Sequence, residues 1–209
     1  MVAGESKKKI WIPISLIIIL LVALSGCVNL TCSYIPDSIV IDGWYENLAL
    51  RNTGSQFLGL EKWCSSTYEI NGNYPASLTV TTLKTLVLTD EKEIKKRAIE
   101  TIEETFRGRI ELNISSSGER TLQKNHNTMY TVYNGIDKDT DEKVKIISEI
   151  WNCGTSGTSI ICIGIAYITN DEIPNAENTE YWQKIVMDSN GGIEGFIGEE
   201  GLIHNVFCH

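Results

Sequence analysis

Three histidines, His126, His204 and His209, are the chain's whole supply of imidazole. A Ser-His-acid or Cys-His arrangement can be assembled from them on paper, but no spacing specifies one. Gly154-Thr155-Ser156-Gly157 lacks the residue that G-x-S-x-G places between serine and the second glycine, and it reads as a turn. Asp137-Lys138-Asp139-Thr140-Asp141 alternates carboxylates as the first half of a calcium loop does. Glu142 stands where that loop needs glycine and Ser148 where it needs glutamate, so a solvated hairpin loop is expected, with a weak calcium site as the alternative. His204, Cys208 and His209 are donor types that suit a transition metal, yet His-x3-Cys-His has no helix to present it. The glycines between 191 and 201 follow a helix and do not form G-x-G-x-x-G, which rejects dinucleotide binding. No catalytic residue, metal or cofactor is expected.

Six cysteines carry more information: Cys27, Cys32, Cys64, Cys153, Cys162 and Cys208, with no C-x-x-C pair among them. Lys7, Lys8 and Lys9 precede an apolar run over 10–24, shorter than the ~20 residues an untilted helix needs to span a bilayer. Positive start, apolar middle and small residues are the order of a signal peptide. Leu24-Ser25-Gly26-Cys27 resembles the lipobox of lipoprotein signal peptides at all four positions. The resemblance implies that Cys27 carries a thioether-linked lipid and becomes the mature N-terminus. The alternative is an uncleaved anchor helix through 10–28. In both cases the lysines favour a cytoplasmic start, so the chain is expected at the cell membrane with residues 28–209 outside the cytoplasm. Disulfides are expected there. Cys32, Cys64, Cys153 and Cys208 are the candidates, with connectivity open and Cys64 to Cys153 or to Cys208 as the working guess. Cys162, inside the apolar run Ile160-Ile161-Cys162-Ile163-Gly164-Ile165, is the candidate buried free thiol.

The elements that must position these residues follow from periodicity. The 209 residues are 42% hydrophobic and 22% charged, ordinary for a globular chain. The net charge of −9 makes nucleic acid an unsuitable partner. Residues 1–27 read as signal peptide or membrane anchor, 28–36 as a tether and 37–209 as a single exported α+β domain. A helix is expected over 90–107, capped by Asp90 and stopped by Gly108, with Ile94, Ala98, Ile102 and Phe106 on one stripe. A second is expected over 179–188, with Tyr181, Trp182, Ile185 and Val186 inward and Asn190-Gly191-Gly192 ending it. Strand periods run over 78–88, with an apolar phase switch near Lys84 that a bulge or coverage on both faces would give. Over 109–114, Ile110, Leu112 and Ile114 should point inward. Strands at 128–133 and 144–151 flank a polar loop at 134–143, and 158–169 completes an antiparallel meander. The tail, 193–207, reads as an irregular hairpin. Trp44 and Trp63 fall in a poorly patterned stretch from 37 to 69, where burial or a ligand groove would suit them.

That order, strand, long helix, four antiparallel strands and a late helix, resembles the PsbP-like fold. The stretches that carry it are Tyr74-Pro75-Ala76-Ser77-Leu78-Thr79-Val80, Thr128-Met129-Tyr130-Thr131-Val132-Tyr133, residues 159–169 and Tyr181-Trp182-Gln183-Lys184-Ile185-Val186. The resemblance covers about 65–190 and implies an antiparallel sheet with helices on both faces, in a family of mostly non-enzymatic exported modules. The expected function is a membrane-anchored lipoprotein that binds a protein or small molecule or serves a structural role on the outer face. The alternatives are an extracytoplasmic hydrolase using His126 or His204, and a calcium-dependent adhesion module built on the aspartate loop.

Overall fold

The computed structural model describes residues 30–72, 75–86, 88–168 and 176–208. The basic leader, the lipobox with Cys27, and His209 lie outside the described residues. Among the described residues no helix is long and apolar enough to cross a membrane.

Eight antiparallel strands form one sheet: β1 (Tyr45–Glu46), β2 (Asn52–Gln56), β3 (Glu61–Ile70), β4 (Ala76–Thr85), β5 (Ile110–Thr121), β6 (Asn127–Asp137), β7 (Glu142–Cys153) and β8 (Thr158–Ile168). The order is β1-β3-β4-β8-β7-β6-β5, with β2 also on β3 beside β1. β5 to β8 form the expected meander, which returns β8 to the centre against β4. Helix α1 (Glu91–Phe106) and helix α2 (Ala176–Val186) cover opposite faces. The architecture is therefore α+β, an antiparallel sheet with a helix on each side.

The α1 face follows its sequence signals closely. Asp90 accepts a hydrogen bond from the Lys92 backbone N–H at 2.7 Å, satisfying one of the orphan donors of the first turn. Ile94, Ala98, Ile102 and Phe106 are buried, and Gly108 takes φ +77° just beyond the end. The stripe packs on Val144, Ile146 and Ile150 of β7 and on Ile161 of β8. The opposite face carries Leu78, Val80, Ile147, Trp151, Cys162 and Ala166 under Trp182, Ile185 and Val186 of α2. Gly164 lets α2 approach, since a Cβ there would lie 2.7 Å from Ile185 Cγ2. Both ends of the described region join this second core. Ile35, Trp44, Leu202, Ile203 and Val206 are buried in it, and Tyr34 bridges Phe207.

Several expectations are corrected. Residues 30–36 are no tether. Ile35 is buried and donates its N–H to the Tyr68 hydroxyl at 2.8 Å, while Ser33 N–H donates to Thr82 Oγ1 at 2.8 Å. The stretch from 37 to 69 holds three strands. In β4 the ladders to β3 and β8 run unbroken, so the phase switch reflects burial of Thr82 and Leu83 on opposite faces, not a bulge. The polar loop at 134–143 is mostly strand, with only 138–141 as the turn. Ile114 is 67% exposed, because the register breaks between Ile114 and Ser116 and β5 runs on to Thr121 at the sheet edge. Helix α2 starts and ends earlier than expected, and Asp188, not the Asn-Gly-Gly run, takes its exit into an isolated bridge with Ile197. The tail forms no described hairpin ladder. It is held by isolated bridges and a short 3-10 turn at Ile203–Asn205.

Candidate binding groove and its polar framework

The disulfides are Cys32–Cys64 and Cys153–Cys208. Cys64 therefore joins neither Cys153 nor Cys208. The entering chain lies against β3, which puts Cys32 beside it, and the tail lies against the end of β7. Cys162 is the free cysteine and is fully buried, and burial followed by the nearby Glu149 charge pushes its thiol well above the ordinary range. Such a thiol is a poor nucleophile.

The other candidates are dispersed. His126 stands with Nε2 3.4 Å from Cys208 Sγ, so the histidine, Cys153 and Cys208 offer ligand atoms within 4.8 Å of one another. The two sulfurs are bonded to each other, which leaves no thiolate pair for a metal. His204 is buried away from that cluster, among Arg120, Glu149 and Asp188, so His204, Cys208 and His209 are not a described ligand set. Burial lowers the pKa of both described histidines, with Lys124 adding to the effect at His126. In the aspartate loop, Asp137 is fully buried, and it accepts from Arg109 Nη2 at 2.8 Å and from the Tyr167 hydroxyl at 2.7 Å. The Arg109 guanidinium holds the Asp137 carboxyl below its usual range. A carboxylate already engaged this way is a poor cation ligand. Trp44 is buried against α2, edge-on to Tyr181, while Trp63 is half-buried at the β2 edge.

The largest polar feature is one that the alternation of residues 109–114 does not reach. Arg120, on the far half of β5, donates from Nε to Glu149 Oε1 at 2.8 Å and from Nη2 to Oε2 at 2.6 Å. Its Nη1 donates to Asp188 Oδ2 at 2.6 Å and to the carbonyl of Val186 at the end of α2. Thr128 Oγ1 adds a bond to Glu149 Oε1 at 2.6 Å. Asp188 Oδ1 in turn accepts from Asn190 N–H at 2.7 Å, which closes the turn after α2. Burial raises the Asp188 pKa, but the Asn190 N–H and the Arg120 guanidinium outweigh it and hold the carboxyl below its usual range. All four side chains are buried. The cluster therefore fixes β5, β6, β7 and the α2 exit together and offers no surface to substrate.

A groove farther along the same strands does reach solvent. On the α2 side of the sheet, beyond the strip that Trp182 and Ile185 cover, Glu111, Asn113, Asn134, Ile136, Lys145 and Ile168 line a cavity of about 590 Å³. Gly135 and Val144 lie at its floor. Ile136 is half-exposed there. The wall toward α2 is held by Lys145, which pairs with Glu194 at 2.6 Å, and Glu194 also accepts from Trp182 Nε1 at 2.8 Å. An apolar floor with two amides, the ammoniums of Lys143 and Lys145 and the Glu111 carboxylate around it suits a small amphiphile or a short peptide segment. The extra length of β6 builds this groove. The alternation Val132, Asn134, Ile136 was its sequence signal, hidden by the polar composition of 134–143.

No family model matches the chain, and no curated protein sequence matches it. Among solved structures, the 1.9 Å crystal structure of the Saccharomyces cerevisiae Ran-binding protein Mog1p is similar to 75% of this chain and 94% of that one. The identity is 12% and the TM-score 0.38.

Proposed function

We propose that this chain is an exported, membrane-held module that binds a ligand or partner without chemistry of its own, attached through lipidated Cys27 with residues 28–209 outside the cytoplasm. The PsbP-like architecture, with its mostly non-enzymatic members, belongs to the same reading. The observation that carries it is the pair of disulfides, one directly behind the entry of the chain and one at its end. Bonds of that kind persist where thiols are oxidised, outside the cytoplasm. The groove over β5 to β8 is the site proposed for the ligand. The hydrolase alternative is weakened because Cys208 is held in a disulfide and His204 is buried in the core. The calcium alternative is weakened by the commitment of Asp137 to Arg109.

Intact mass of the membrane-extracted full chain tests the reading. The expected mass is that of residues 27–209 plus a diacylglyceryl-type adduct, with reduction reporting both disulfides. A mass equal to the whole sequence refutes lipid attachment at Cys27 and leaves an uncleaved anchor. Recovery of an unmodified chain from the cytoplasm refutes export itself.

A further inference from the structure

We propose that the sheet edge built by β2 on the first half of β3 and β1 on its end is the membrane-facing side of the domain, with its apolar fringe seated in the headgroup region of a lipid bilayer. The inference rests on the anchored reading above and adds an orientation to it.

Four observations converge on this edge. First, more than half of the exposed large apolar side chains among the described residues gather along it: Tyr45, Leu48, Leu50 and Phe57, with Leu86 and Leu88 following the end of β4. β4 belongs there because Thr85 pairs with Glu61 at the start of β3. Leu48 and Phe57 are 67% and 68% exposed, positions that a fully solvated surface would favour filling with polar groups. Phe57 takes φ +51°, a left-handed turn that carries its ring outward at some cost in backbone strain.

Second, Trp63 lies over Gly54 of the edge strand, whose missing Cβ would clash with the indole. An indole laid along an edge, with an apolar body and a polar N–H, is the residue type that collects at membrane–water interfaces. Third, the chain enters the fold at this spot. Leu30 lines the same shallow depression of about 460 Å³ as Gly54, Lys62 and Trp63, and Cys32–Cys64 fixes the entry there. Leu30 stands three residues after Cys27. Even fully extended, that link spans at most about 11 Å. The lipid attachment point therefore cannot lie far from this edge. Fourth, two carboxylates of this edge are paired with arginines while the chain as a whole is at −9. Glu46 pairs with Arg51 at 2.8 Å and Glu61 with Arg97 at 2.9 Å. An acidic domain tethered to a surface with anionic lipid turns its charge-paired, apolar side toward it.

The test uses the lipid-modified protein, residues 27–209 with Trp11 removed with the leader, reconstituted into phosphatidylcholine vesicles brominated near the top of their acyl chains. Flotation with the vesicles reports anchoring, and quenching of tryptophan emission reports contact. The expected result is flotation with a loss of emission that disappears in Trp63→Phe. The exposed substitutions Leu50→Ser and Phe57→Ser, which leave the core intact, are expected to restore most of that emission. Flotation with emission unchanged by bromine overturns the proposal and leaves the anchor reading standing. Flotation with unquenched Trp63 and a cross-linked dimer through this edge assigns it to a second copy and also overturns it. Failure to float overturns the anchor reading and this one with it.

Discussion

Arg120 spreads one guanidinium over two carboxylates and a helix-end carbonyl, and none of these groups has water to fall back on. Removing only the cation leaves Glu149 and Asp188 buried and uncompensated. Arg120→Ala is expected to cost roughly 3–5 kcal/mol in urea unfolding. Adding Glu149→Leu to an Arg120→Met chain should recover part of that loss, since an apolar pair carries no desolvation penalty. Equal losses for the single and double changes would show that the guanidinium acts through packing alone. The fate of Cys162 was legible because its neighbours on both sides are isoleucines. The fate of Arg120 was not, because a lone arginine in the polar run Ser115-Ser116-Ser117-Gly118-Glu119 looks like a solvated residue. Its burial comes from α2 and the loop at 188–192, which fold over it from far along the chain.

At the scale of elements, legibility follows how far each one satisfies itself locally. Helix α1 carries its own cap, stripe and stop, and it forms within a residue of its expected limits. The central strands β7 and β8 are apolar on both faces and also announce themselves. β2 is exposed at four of its five positions, so no alternation marks it, and only pairing with β3 makes it a strand. The tail is buried without a period, because its partners are the α2-side core and Cys153, not its own neighbours. The groove was illegible for a related reason, as its walls come from strand extensions that composition alone assigns to a loop. Helix α2 depends on one position in β8. A Cβ at Gly164 would sit 2.7 Å from Ile185 Cγ2 and 2.9 Å from Ile147 Cγ2, both fully buried. Gly164→Ala should therefore push α2 from the sheet and cost about 1–3 kcal/mol, read as a lower urea midpoint with less protected amides in α2. Unchanged midpoint and protection would show that the α2 contact has slack.

For the whole molecule, the α2-side core is closed by a tail whose docking involves both described histidines. His204 lies in the tail with Nδ1 lacking a hydrogen-bond partner among the described residues, and His126 packs against Cys208. Burial favours the neutral ring in each, against the attraction of Asp188 at His204 and with the repulsion of Lys124 at His126. In the unfolded chain the same rings titrate near 6.5. As pH falls through that value the unfolded state takes up protons that the folded state refuses, so stability drops until the folded values are reached. Asp137 and Asp188, held below the usual carboxylate range, add a second loss only as pH falls below about 4. The melting temperature is thus expected to fall between pH 8 and pH 5.5, at roughly 2–4 °C for each kcal/mol lost in a chain of this size. Residues 201–208 should show the earliest rise in amide exchange, as the segment held by few backbone ladders. Replacing both rings, in His126→Gln with His204→Gln, should flatten the step near neutrality while leaving the one below pH 4. A step near neutrality that survives both replacements would show that neither histidine carries it and leave the tail indifferent to them.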